Sequence, residues 1–244
     1  MIVLFWDIDG TLLTTGKAGV PAWEAAVREV TGREFQLSSI RVPGLTDYQI
    51  AVKTFELLDF DADEQTLCRM VRRYEELLPE YLPLKQGCVL PNVREILDDL
   101  KGRSDVRSYL LTGNTRGGAR AKLTHYDLFG YFPDGAFAED ARARATIASR
   151  ALELARRVGP VADERIFVIG DTPHDIECAN AIDARTIVVG TGGYSLEELE
   201  AHRPWRVFPE LPPPREFLDL IGADGPAEAG CCDGPARAGC DVRR

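Results

Sequence analysis

Three short stretches carry side chains that could do chemistry together. The first reads Asp7-Ile8-Asp9-Gly10-Thr11-Leu12 and follows the apolar run Ile2-Val3-Leu4-Phe5-Trp6. Side chains alternate faces along an extended chain, so Asp7 and Asp9 point the same way. Two carboxylates that close repel each other unless a positive charge lies between them. Mg²⁺ takes oxygen ligands and would relieve that repulsion. Gly10 permits a sharp turn just beyond. The second stretch, Gly170-Asp171-Thr172-Pro173-His174-Asp175, follows Arg165-Ile166-Phe167-Val168-Ile169 and holds another carboxylate pair. If those two strands are neighbours, Asp7 and Asp171 converge on one cation. The third, Thr112-Gly113-Asn114, follows a run that ends at Leu111. A hydroxyl and backbone N–H groups at a helix N-terminus suit a phosphate oxygen.

These stretches need strands to position them. Ile2 to Trp6 is apolar without alternation, as expected of a strand buried on both faces of a parallel sheet. Val106 to Leu111, Arg165 to Ile169 and Arg185 to Val189 read the same way, and Gly135-Ala136-Phe137 is a shorter candidate. Helical patterns separate them. Val93, Ile96, Leu97 and Leu100 share one face, with Asn92 as N-cap. Ala148, Ala151, Leu152 and Ala155 share another. Alternating strands and helices predict an α/β fold, a Rossmann-like parallel sheet with helices on both faces.

One region breaks the alternation. From about Gly16 to Leu84 there are helical patterns and no convincing strand. Pro21, in a first turn, opens a helix to about Val30. Leu67, Met70, Val71, Tyr74, Leu77, Leu78 and Tyr81 mark the face of another. The expected organisation is an α/β core from residues 1–15 and 85–221, with an inserted α-helical domain at 16–84. The last stretch, 222–244, is rich in Gly, Ala, Pro and Asp and is expected to be disordered.

Bulk properties narrow the partners. The 244 residues are 45% hydrophobic and 28% charged, ordinary for a globular protein. The formal net charge of −10 comes with no basic run, which disfavours nucleic acid. A small phosphate ester remains compatible, because a local Mg²⁺ outweighs the global charge. No stretch is long enough to span a bilayer, and the N-terminal apolar run is too short and lacks a basic start. A cytoplasmic protein is expected. Of six cysteines, Cys68, Cys88 and Cys178 are scattered, while Cys231, Cys232 and Cys240 sit in the tail without CxxC spacing. The sequence leaves oligomeric state open.

In order and spacing, the three stretches resemble the haloacid dehalogenase superfamily. Asp7-Ile8-Asp9-Gly10-Thr11-Leu12 looks like its first motif, DxDGT[LV]. Thr112 resembles the second, a Ser or Thr ending a strand, and Gly170-Asp171-Thr172-Pro173-His174-Asp175 resembles the fourth, GDxxxD. The match spans residues 1–192. A helical insert directly after the first motif resembles the C1 cap of the phosphoglycolate phosphatase and β-phosphoglucomutase branch. The resemblance implies a Mg²⁺-dependent phosphohydrolase acting on a small phosphorylated metabolite, such as 2-phosphoglycolate. In it, Asp7 attacks phosphorus to give an aspartyl phosphate. Asp9 protonates the leaving alkoxide and then activates water. Mg²⁺ is held by Asp7, the Asp9 backbone carbonyl and Asp171, with Asp175 beyond them or as an alternative ligand. Thr112, with Gly113 and Asn114, contacts the phosphoryl group.

The third motif departs from the family, which has a Lys at the start of the helix before the fourth. Here the region reads Glu139-Asp140-Ala141-Arg142-Ala143-Arg144-Ala145-Thr146. Arg144 falls at about the right register and could supply the charge in a forked geometry that Lys lacks. Lys122 competes, but it sits roughly two turns, about 9 Å, into the helix after Thr112. Simpler roles stand beside these. Thr112 or Asn114 could cap the next helix, and Asp175 could answer a helix dipole. Gly44-Leu45-Thr46-Asp47 resembles a substrate-side loop of the branch, with Thr46 or Asp47 as a helix N-cap the simpler reading. Lys17 and Arg41 could meet an anionic substrate group or be solvated charges, and His174 reads as an exposed helix-start residue. A β-phosphoglucomutase-type phosphotransferase is the nearest rival. Those mutases use a cap histidine, and His125, His174 and His202 all lie outside the insert. A 2-haloacid dehalogenase lacks the second Asp of the first motif. A receiver domain is about half this length, and a phosphate-binding protein without activity would explain only the missing Lys.

Overall fold

The computed structural model describes residues 1–139 and 144–223. Residues 140–143 of the third-motif region, and the 224–244 tail with Cys231, Cys232 and Cys240, lie outside the described residues. The strands are β1 Ile2–Trp6, β2 Leu13–Thr14, β3 Cys88–Val89, β4 Val106–Leu111, β5 Gly135–Ala136, β6 Ile166–Gly170, β7 Arg185–Val189 and β8 Arg206–Phe208. The helices are α1 Gly19–Thr31, α2 Asp47–Leu57, α3 Glu64–Tyr81, α4 Val93–Leu100, α5 Arg116–His125, α6 Arg144–Arg156, α7 Pro173–Asn180, α8 Leu196–Ala201 and α9 Pro214–Ile221.

Six strands form one parallel sheet in the order β5-β4-β1-β6-β7-β8. The lack of alternation in β1 has a direct cause: all five residues are buried, because both faces are covered. Ile2, Leu4 and Trp6 pack with Val93, Ile96 and Leu97 of α4 and Phe217 of α9. Val3 and Phe5 pack on the other side with Ala148, Ala151 and Ala155 of α6 and Ala179 of α7. Burying one such large apolar side chain contributes about 1.5–3 kcal/mol.

The α1–α3 block has its own apolar cluster, built on Trp23, Val27, Ile50, Phe55, Met70, Tyr74 and Leu78. The helix face read from α3 is the buried one, apart from half-buried Tyr81. Its entry and exit are joined by β2 and β3, paired antiparallel as Leu13 with Val89 and Thr14 with Cys88. Two residues per strand are too few for any periodicity to register. β8 also went unread, since its three residues are exposed or half-buried at the sheet edge.

Asn92 does not cap α4. It sits at the N-cap position with φ 63° and makes no capping bond. Its side-chain amide instead donates to the Leu211 carbonyl at 2.6 Å, tying α4 to the segment before α9. Among the described residues, no helix is long and apolar enough to cross a membrane.

Candidate active site

The neighbouring strands β1 and β6 bring Asp7 and Asp171 to the same carboxyl edge of the sheet. The Asp7 N–H donates to the Ile169 carbonyl at 2.9 Å, which locks the two strand ends together. Asp7, Asp171 and Asp175 each offer a carboxylate oxygen within 4.8 Å of the others, and all three are buried. Two glycines let Asp171 sit there. At Gly10, whose φ is 83°, a Cβ would lie 2.5 Å from Asp171 Oδ2, and at Gly192 it would lie 1.7 Å away.

The members of this cluster differ in how far they are satisfied. Asp175 is fully engaged: Oδ2 accepts from the Thr172 N–H at 3.0 Å and hydroxyl at 2.7 Å, and Oδ1 accepts from Arg144 Nη1 at 2.7 Å. Asp171 Oδ1 accepts from the Thr11 hydroxyl at 3.1 Å. Asp7 Oδ1 is buried and has no hydrogen-bond partner. An unpaired carboxylate oxygen beside a second carboxylate is strongly unfavourable by itself. Accordingly the Asp7 carboxyl is pushed up to about 7, first by burial and then by the charge of Asp175. Asp171 is raised well above the carboxylate range by burial and by Asp7. An all-oxygen, anionic donor set with an orphaned atom fits a hard divalent cation.

Arg144 opens α6 and reaches into this cluster. Besides its bond to Asp175, its Nη2 lies 4.0 Å from Asp7 Oδ1, and its side chain is 9% exposed. Lys122 also enters the site, although its distance along α5 argued against it. Side chains on a helix tilt toward its N-terminus, so a residue two turns in can reach back past the first turn. Its partner is Asp9, not Asp7. Lys122 Nζ donates to Asp9 Oδ2 at 2.5 Å and to Asn114 Oδ1 at 2.6 Å. Burial works against its charge, but Asp9, Tyr74 and Asp47 outweigh that and keep the ammonium protonated.

Asn114 does not cap α5; Thr115 does, its hydroxyl accepting from the Gly118 N–H at 3.2 Å. Asn114 Nδ2 donates to Asp9 Oδ2 at 2.9 Å and to Thr112 Oγ1 at 2.8 Å. Thr112 and Asn114 are thus wired to Asp9. Gly113 faces Arg144, whose Nη2 would lie 3.1 Å from a Cβ there.

The sequence marks Asp47 only as part of a loop or as an N-cap, and does not foretell the contact it makes. Thr46 caps α2 in a reciprocal capping box with Gln49. That frees Asp47, in the first turn, to face the sheet. Its Oδ2 accepts from the Thr115 N–H at 2.8 Å, and its own N–H donates to the Gly113 carbonyl at 2.9 Å. Burial pushes its carboxyl up to about 6. The helical block therefore sits on the loop that carries Thr112 to Asn114. His174 pairs with Glu177 at 3.0 Å and packs against Gly44. Arg41 is engaged by Glu198 and the Tyr194 ring, away from the carboxylates. Cys68, Cys88 and Cys178, all expected to be buried or half-buried, are free thiols; Cys178 is buried and Cys68 half-buried, but Cys88 is exposed on the short β3 strand.

A cavity of about 420 Å³ lies between sheet edge and helical block, lined by Asp7, Asp9, Asn114, Lys122, Arg144 and Asp171 on the sheet side. The site therefore lies at the carboxyl ends of the strands of a parallel α/β sheet, where ligands bind in such folds. The family profile for haloacid dehalogenase-like hydrolases matches residues 4–180, and the chain belongs to that family. Over 224 residues it is 28% identical to "Probable phosphatase IndB" of Dickeya dadantii (strain 3937), a match spanning 91% of this chain and 92% of that protein. Solved structures share the fold. CbbY from Rhodobacter sphaeroides in complex with phosphate superposes with a TM-score of 0.70 at 16% identity, covering 86% of this chain and 95% of that one. A predicted phosphoglycolate phosphatase from Haemophilus somnus 129pt does so with a TM-score of 0.68 at 17% identity, covering 91% and 97%.

Proposed function

We propose that this hydrolase is a Mg²⁺-dependent phosphomonoester phosphatase that works through an aspartyl phosphate on Asp7. The observation that carries this is the buried, unpartnered Asp7 Oδ1 next to Asp171, at the carboxyl edge of the sheet. Asp7 and Asp171, with the Asp9 backbone carbonyl, would hold the cation. Asp175 is already committed to Thr172 and Arg144 and acts by orienting that arginine. Bound Mg²⁺ would neutralise the carboxylates and the incoming phosphate dianion.

The side chains divide the remaining work. Asp7 attacks phosphorus as the ester oxygen departs. Asp9 gives its proton to that oxygen, then takes one from the water that cleaves the acyl phosphate. Lys122 and Asn114 fix the Asp9 carboxylate in place. The Thr112 hydroxyl and the Gly113 N–H serve the phosphoryl oxygens. Asn114 acts through Asp9 and Thr112, because its own donors are spent on them. Arg144 supplies the positive charge that a lysine gives elsewhere in the family. No histidine lines the cavity among the described residues, which leaves a mutase-type transfer without its cap base.

The test is phosphate release from p-nitrophenyl phosphate. Turnover should require Mg²⁺ and vanish in Asp7→Asn. Acid-quenched wild-type enzyme should carry a phosphoryl adduct on the Asp7 peptide. Turnover that survives Asp7→Asn would reject the assignment.

A further inference from the structure

We infer that the alcohol portion of the substrate is an uncharged, apolar body about the size of an aromatic ring, taken up by the cap side of the cavity. This deepens the phosphatase reading above and rests on it. The cavity has two unlike ends. Its sheet side holds the carboxylates, Lys122 and Arg144, whose charges are directed at Asp9 and Asp175. Its cap side is walled by Trp23 of α1, by Leu37, Val42 and Leu45 of the segment between α1 and α2, and by Ile50 of α2.

Two of the polar groups on the cap side, Trp23 and Asp47, are turned elsewhere, and Tyr74 adds one neutral hydroxyl to the lining. Trp23 spends its only polar atom on the Thr54 hydroxyl, at 3.2 Å, so it presents carbon to the cavity. Its ring is further fixed edge-on against Tyr74, with centroids 5.0 Å apart. Asp47 gives its carboxylate to Thr115. The remaining charged lining residue from the cap, Lys17, is an exposed residue. A substrate with a second anionic group, such as 2-phosphoglycolate, would therefore place a carboxylate against Trp23, Leu37 and Ile50, while the buried cation Lys122 is held by Asp9 and Asn114. An apolar body loses nothing there and gains by leaving water. Space agrees: a cavity of about 150 Å³ holds a benzene ring, and 420 Å³ leaves room for a phosphoryl group besides.

The test compares kcat/KM for benzyl phosphate, 2-phosphoglycolate and glycerol 3-phosphate, with p-nitrophenyl phosphate as the general probe. The first three are primary alkyl esters and differ mainly in the body carried. Benzyl phosphate should be preferred over both others by at least about tenfold, the scale on which an apolar pocket discriminates. Leu45→Arg, on a half-buried loop position, puts a cation in the wall and should shrink that ratio by about tenfold or more. Val42→Arg serves if that variant does not fold. Equal or better turnover of 2-phosphoglycolate or glycerol 3-phosphate would overturn the inference and leave the phosphatase reading standing. So would a benzyl preference that neither arginine variant changes. No turnover of any ester, p-nitrophenyl phosphate included, would reject both.

Discussion

Lys122 offers the sharpest test of how the site is wired. Its ammonium lies 2.5 Å from Asp9 Oδ2 and 2.6 Å from Asn114 Oδ1, and its side chain is 7% exposed while that of Asp9 is 42% exposed. Lys122→Met keeps the length of the stem and removes both contacts. Breaking a fully buried pair costs about 3–5 kcal/mol. Water reaches Asp9, which reduces the expected loss of stability to about 1–3 kcal/mol. The kinetic effect should depend on the ester. An alkyl leaving group needs its proton from Asp9, and general acid catalysis contributes about 10²–10⁴-fold. Asn114 still holds Asp9 in the variant, so kcat for a primary alkyl phosphate should fall about 10–100-fold, part of that range. For p-nitrophenyl phosphate, whose leaving group departs without protonation, kcat should stay within about threefold by the same logic. Steady-state kinetics on both esters, with thermal unfolding alongside, reads this out. An equal fall on both esters, or a loss of stability with both rates intact, would refute the assignment of Lys122 as the residue that positions Asp9.

Further outcomes follow from the same contacts. Arg144→Ala strands Asp175 Oδ1 in a buried site and should lower stability by about 3–5 kcal/mol in denaturant unfolding, with phosphatase activity falling at least about 100-fold; Arg144→Lys should recover part of each. Gly192→Ala places a methyl group 1.7 Å from Asp171 Oδ2. It should raise the Mg²⁺ concentration for half-maximal activity by about tenfold or more while leaving the circular dichroism spectrum unchanged. Burial holds the Asp47 carboxyl at about 6 in the folded protein, against an ordinary 3.8. The folded state binds the extra proton between those values, so the Asp47 share of wild-type stability should fall as pH rises from about 4 to about 6, by at most about 3 kcal/mol, in addition to the falls that the raised Asp7 and Asp171 bring. Asp47→Asn keeps an acceptor for the Thr115 N–H and should flatten that slope, making the variant more stable than wild type at pH 7 and similar at pH 4. Urea titrations across pH check the sign.

What the sequence made legible has a physical pattern. Asp7, Asp171 and Thr112 could be placed because each ends an apolar run, and the end of a strand in a parallel sheet is a fixed location. The helix-only stretch after β1 was visible for the same reason, as a change of period. Lys122 was harder. Its position along α5 could be counted, but the direction in which its side chain leans, and the docking of α5 against Asp9, arise only on packing. Asp47 was hidden by a correct local reading: Thr46 does cap α2, and a first-turn aspartate normally needs no further explanation. The contact to Thr115 crosses from one apolar cluster to the other, which no local pattern reports. Asn92 failed differently, since a left-handed backbone there turned a good capping residue toward Leu211.

The short β2–β3 ladder has a mechanical meaning. It brings the departing and returning chains of the helical block side by side, with Leu13 against Val89 and Thr14 against Cys88. A block tethered at two separated points would be clamped at each; one tethered by a paired ribbon has a single hinge. The Asp47 contacts to Thr115 and Gly113 attach the block to the sheet domain at a second place. The ribbon and the Asp47 contacts together set the apolar lining of the block opposite the charged lining of the sheet edge.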